Sequence, residues 1–280
     1  MIIGAPDVLA VAVGALVGLV LGLIGGGGSV LAVPLLVYVV GVKSPHVAIA
    51  TSSIAVALSA FTNLIDHARR GHVYWPVALL FAVSGVTGTA LGCRLGQHTE
   101  GQKLLLLFGV AMVAIAASMA LRRDGGGGPH ARVQWHTTPR VAGTAIVVGA
   151  LAGFFGIGGG VLVVPGLVAS ASLPMILAIG SSLVSVTAFS LTTAAMYAYE
   201  GLTDWRLVML FVAGGVIGGG VGSRLATMLA ARKRALSLLF AAVVAAVGLY
   251  VIVRGVANLV EPAGDSTVAR IERSEVREGR

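Results

Sequence analysis

The chain has 280 residues, 57% of them hydrophobic and only 11% charged, with a formal net charge of +8. A water-soluble fold of this length needs far more charge on its surface, and is excluded. A nucleic-acid partner is excluded as well. The Lys and Arg residues lie between apolar runs and in the tail, as in loops that hold membrane topology, and no basic patch is interleaved with aromatics.

The chain starts Met-Ile-Ile-Gly-Ala-Pro-Asp, with no positive charge ahead of the apolar run, so Val8 onward is expected to be retained rather than cleaved. Eight apolar segments follow, at roughly 8–41, 46–66, 75–97, 103–121, 141–169, 174–199, 205–229 and 235–256. About 20 apolar residues suffice to cross a hydrocarbon core about 30 Å thick. The expected fold is an all-α, polytopic membrane protein. Its units are a first set of four segments (8–123), a polar Gly-rich linker (124–140), a second set of four (141–256) and a polar tail (257–280). The single cysteine, Cys93, lies inside an apolar run and reads as a small packing residue.

The two sets read as copies. Gly22-Leu-Ile-Gly25-Gly-Gly27-Gly28-Ser-Val30-Leu31-Ala-Val33-Pro34 matches the stretch from Gly153 to Pro165 at eight of thirteen positions. Ala48-Ile49-Ala-Thr51-Ser52 matches Ala178-Ile179-Gly-Ser181-Ser182. Gly71 and Trp75 match Gly201 and Trp205, and Arg94 matches Arg224. Apolar composition alone produces chance Leu and Val matches. It does not place Gly, Pro, Trp and Arg at one shared offset. Internal repeats are a hallmark of secondary transporters.

As a set, the glycine-broken first segment with its following proline, the Ala-Ile-Ala-Thr-Ser-Ser and Ala-Ile-Gly-Ser-Ser stretches, and the Gly-x₃-Trp before the third segment resemble the TauE/SafE sulfite exporter family. The resemblance runs from about Val8 to Arg254. It implies a multi-pass permease of the plasma (inner) membrane for small sulfur-containing anions, or for organic anions bearing a sulfonate or carboxylate.

The first segment of each copy is too long for one crossing and is interrupted by glycines. Each glycine costs about 1 kcal/mol against alanine in a helix, which favours a break. A helical hairpin there gives each copy an odd number of crossings and inverts one copy against the other. Loop charge agrees. Arg69 and Arg70, the central linker, and Arg232 to Arg234 then share the cytoplasmic side, opposite Lys43, Lys103, Arg206 and the acidic Glu200–Asp204 loop.

The candidate substrate-binding groups are the backbone at Gly25, Gly27 and Gly28 and at Gly156, Gly158 and Gly159, the hydroxyls of Thr51, Ser52, Ser181 and Ser182, and Asn63. Non-helical backbone at membrane depth survives only where protein or a watery cavity satisfies it, and amides at a half-helix N-terminus suit an anion. Hydroxyls donate to oxyanions without carrying charge, although in membrane helices they commonly bond back to their own helix. Inversion is expected to bring the four hydroxyls together near the midplane. Arg94 and Arg224 read as snorkelling side chains.

The six histidines lie at segment ends, in loops or in the linker, and no carboxylate lies at mid-membrane. A hydrolase needs a base beside its nucleophile, and a metal site needs clustered ligands. The expectation is therefore a transporter and not an enzyme, with no cofactor. Its partners are a small anionic solute and the lipid bilayer, and the sequence leaves the oligomeric state open. A passive anion channel is the alternative, and an intramembrane enzyme a more distant one.

Overall fold

A computed structural model describes residues 5–24, 29–121, 138–228 and 233–260, and these residues form helices joined by short connectors. In chain order they are α1 (Ala5–Ile24), α2 (Ser29–Leu35, continued by a π-helical stretch Leu36–Val40), α3 (Pro45–Arg69), α4 (Trp75–Gln97), α5 (Gly101–Leu121), α6 (Thr138–Phe155), α7 (Gly160–Ala171), α8 (Met175–Tyr199), α9 (Trp205–Met228) and α10 (Lys233–Val260). Five of the described helices are long and apolar enough to cross a membrane. Their outer faces are apolar too: Val83, Leu95, Met209, Val216 and Ile217 are 65% to 69% exposed, as suits side chains in contact with acyl chains.

Local chemistry sets the helix ends. Pro45 and Pro76 occupy first-turn positions of α3 and α4, where no amide bond is lost. The Asp204 carboxylate accepts from the amides of Arg206 and Leu207 and caps α9. The helices α3 and α8 end alike. Gly71 and Gly201 take left-handed φ values of 71° and 70°, and the next amide reaches back to the His67 and Tyr197 carbonyls.

Packing is reciprocal between the two halves of the chain. The helix α1 lies along α9, and α6 lies along α4. Both pairs run parallel. Gly14 meets Phe211 and Gly18 meets Gly215, while Arg206 pairs with Asp7 at the shared N-terminal end. Gly88 meets the Ile146 backbone, Gly92 that of Ala150 and Gly96 that of Phe154, with Gly149 against Gly85 in return. A Cβ added at Gly18, Gly88, Gly92 or Gly218 would run into a carbonyl of the facing helix. Backbones in such close approach are the use that small residues serve in membrane helix pairs.

The other two pairs run antiparallel. In α3 and α8 the His46 ring stacks on Tyr197 at 6.1 Å, while at the far end Gly180 packs on the His72 carbonyl. In α5 and α10 Gly109 meets Gly248 and Ile252, and Leu106 meets Gly255.

Candidate substrate site at the broken helix

The interruption between α6 and α7 is built from glycine. Gly156, Gly158 and Gly159 have φ of 67°, 62° and 75°, a region that side chains rarely adopt. The Ile157 amide still returns to the Ala152 carbonyl, and then the ladder stops. The helix α7 restarts with the Gly159 carbonyl accepting from Leu162 and Val163 at 2.9 and 2.8 Å. Helix geometry leaves the Gly160 and Val161 amides at its N-terminus without intrahelical partners.

This turn lies between α3 and α8. Ile49 packs on Gly156, Val56 and Ser190 on Gly158, and Phe189 on Gly159. The Ser53 hydroxyl donates to the Gly156 carbonyl at 3.4 Å. One turn earlier, the Cys93 thiol lies 3.5 Å from the Gly153 carbonyl and 3.4 Å from the Thr193 hydroxyl, joining α4 and α8 to the end of α6.

Among the described residues, the buried polar side chains are Ser or Thr, apart from Tyr197, whose fully buried phenol also lacks a partner. Most of these hydroxyls have partners. Those of Thr51, Ser185 and Ser190 have none, although all three residues are fully buried. Leaving a buried hydroxyl without a partner costs about 1–3 kcal/mol, which singles these positions out. The Ser190 hydroxyl lies where a Cβ on Gly158 would be, directly against the turn.

The expected site residues separate in this arrangement. Gly156, Gly158 and Gly159 form the turn, and Thr51 and Ser52 lie on the stretch of α3 that also carries Ser53. Ser52 and Ser182 donate back to the Ile49 and Ile179 carbonyls of their own helices, at 3.1 and 2.7 Å. Ser181 accepts from the Tyr74 amide at the start of α4, at 2.9 Å. Because α3 and α8 are antiparallel, the two hydroxyl sets lie toward opposite ends of the pair. Eighteen residues of α3 separate Thr51 from Arg69, roughly 27 Å of helix. The expected convergence of all four hydroxyls at one point therefore does not occur. Asn63 is half-buried on α3, while its counterpart Thr193 is fully buried beside Cys93. Gly25, Gly27 and Gly28 lie outside the described residues.

Ser185 and Ser190 were not among the sequence candidates. Their counterparts in the first set are Ala55 and Ala60, so a search for matched polar positions passes over them. The run of Ser181, Ser182, Ser185, Ser190 and Thr193 along one helix was the signal that could have found them.

A bundle of apolar helices around a broken helix, with neutral hydroxyls inside, defines a polytopic membrane transporter. The model of the family described as sulfite exporter TauE/SafE matches residues 10–251, and the chain belongs to that family. It is 49% identical over 251 residues to a protein of Xylella fastidiosa (strain 9a5c) named "Probable membrane transporter protein", covering 88% of this chain and 95% of that one. It is 26% identical over 239 residues to YunE of Bacillus subtilis (strain 168), which bears the same description, covering 77% and 87%. These names are those of membrane transporters and not of enzymes. No solved structure matches the chain.

Proposed function

We propose that this protein is a permease that carries a small anion across the plasma membrane by alternating access. The family description points to sulfite and related sulfur-containing or organic anions as the substrate class. The observation that carries the reading is Ser190, a fully buried hydroxyl without a partner against the glycine turn at the start of α7. A helix N-terminus attracts negative charge, and an anion held there by the Gly160 and Val161 amides would also accept from Ser190. Thr51 is the second unclaimed donor. Ser52 and Ser182 have their protons committed to their own helices and act as lining groups.

We further infer two inverted repeats, 8–123 and 141–256, joined by the linker 124–140. The sequence match pairs α3 with α8 and α5 with α10, and these counterparts run antiparallel, as a two-fold axis in the membrane plane requires. The moving bodies are not the repeats themselves. Contacts of α1 with α9 and of α4 with α6 interlock the repeats at backbone distance, so rocking has to carry each of these mixed pairs as a unit.

The test is transport by the purified protein in liposomes, screened with sulfite, sulfate, thiosulfate, taurine, sulfoacetate and short carboxylates. Saturable flux of one of these, with an affinity weakened about 10- to 150-fold by Ser190→Ala, is the expected result. That range corresponds to about 1.5–3 kcal/mol for a hydrogen bond to a charged ligand. Non-saturating flux would indicate a channel. Unchanged affinity in Ser190→Ala would remove the hydroxyl from the site.

A further inference from the structure

The helices α4 and α8 run parallel, from Tyr74 and Ser181 at one end, past Cys93 and Thr193, to a shared C-terminal end. A cleft of about 560 Å³ opens there, within the usual size of a small-ligand pocket. It is lined by Arg94, Gln97 and His98 at the end of α4 and by Ala195, Met196, Tyr199 and Glu200 at the end of α8. Among the described residues, the Arg94 guanidinium and the Glu200 carboxylate make no ion pair. The Gln97 Nε2 is buried without a hydrogen-bond partner.

Depth decides what such a cleft meets. The 23 residues of α4 extend about 34 Å, more than the hydrocarbon core, so its last turn reaches the headgroup level. Tyr199, 91% exposed beside the cleft, is the kind of residue that sits at that level. One turn deeper on the same faces, Leu91 and Leu191 are 60% and 56% exposed. Below the cleft both helices therefore present apolar surface to the lipid side. A free anion arriving from water has no use for that surface, whereas an acyl chain does.

We propose that this cleft binds the headgroup of a phospholipid bearing a primary amine. The phosphate lies against Arg94 and Gln97, the ammonium against Glu200, and one acyl chain runs down past Met196 between Leu91 and Leu191. Both signs of charge are needed to hold a zwitterion, and both are present without internal partners. The occupant bears on α8, the helix that also carries Ser190 and Thr193.

The test uses the full-length protein, delipidated in detergent, with dioleoyl phosphatidylethanolamine, phosphatidylcholine and phosphatidylglycerol offered separately and bound lipid counted by native mass spectrometry. Phosphatidylethanolamine is expected to be retained roughly tenfold better than the other two, the worth of about one charge-assisted hydrogen bond. Arg94→Ala should weaken retention of all three lipids. Glu200→Gln should lower retention of phosphatidylethanolamine roughly tenfold without lowering that of phosphatidylglycerol, which loses a like charge from the cleft. Both side chains are exposed, and size-exclusion elution verifies that the variants fold. Equal retention of the three lipids by the parent protein would overturn the proposal. So would a Glu200→Gln variant that retains phosphatidylethanolamine like the parent, or competition by soluble phosphoethanolamine as effective as by the lipid.

Discussion

The starts of α3 and α8 carry nearly the same words, Ala48-Ile49-Ala50-Thr51-Ser52 and Ala178-Ile179-Gly180-Ser181-Ser182, in different surroundings. The second hydroxyl of each behaves identically, bonding back to the isoleucine carbonyl three residues earlier. The first hydroxyl does not. Ser181 accepts from the Tyr74 amide, whereas Thr51 is buried with no partner. Gly180 lets the His72 backbone close on α8, at a spot where a Cβ would collide with the His72 carbonyl. Ala50 fills the corresponding position on α3. The Ser181 bond ties α8 to the start of α4, whereas the Thr51 hydroxyl ties α3 to nothing.

The largest effect is expected where the broken helix meets these helices. Gly158→Val puts a side chain into the space of the Ser190 hydroxyl, at a φ of 62° that valine does not tolerate. Transport in liposomes should be abolished while membrane insertion, followed by immunoblot, persists. Normal transport would reduce the turn to a spacer.

Next come the residues that set the two halves apart. Gly180→Ala should destabilise the protein by about 1–3 kcal/mol through overpacking against His72, and should release Tyr74 from Ser181. The mirror change, Ala50→Gly, should cost about 1–2 kcal/mol, the propensity difference and one buried methyl, without releasing Tyr74. Thermal unfolding in detergent separates them, and equal losses would mean that the His72 contact is slack.

The hydroxyls give opposite signatures. Ser181→Ala leaves the Tyr74 amide unbonded and should lower stability by about 1–3 kcal/mol with substrate affinity unchanged. Thr51→Val removes a hydroxyl with no partner and keeps the shape, so stability should hold or rise; affinity should fall if the anion uses this donor. A Thr51→Val variant that loses stability would reveal a partner within the protein. The smallest effect is expected from Ser52→Ala and Ser182→Ala, each losing only a local bond to its own helix. Affinity in both should stay within about threefold of the parent, less than the tenfold that 1.4 kcal/mol makes.

The sequence by itself determined that this is a helical membrane protein of the TauE/SafE family, and that the second long segment breaks at Gly156 to Gly159. Length, apolarity and the cost of glycine in a helix are local quantities, and each is legible one residue at a time. Partnership between helices is not local. That Gly88 and Gly92 face α6, that α1 lies along α9, and that α3 and α8 run antiparallel are consequences of which backbones approach most closely once all the helices are packed. The same packing separated Thr51 from Ser181 and brought Ser190 to the turn. Whether a hydroxyl is left unpaired depends on neighbours from both halves of the chain: Ser190 lies against Gly158 of its own half, on which Val56 of the other also packs.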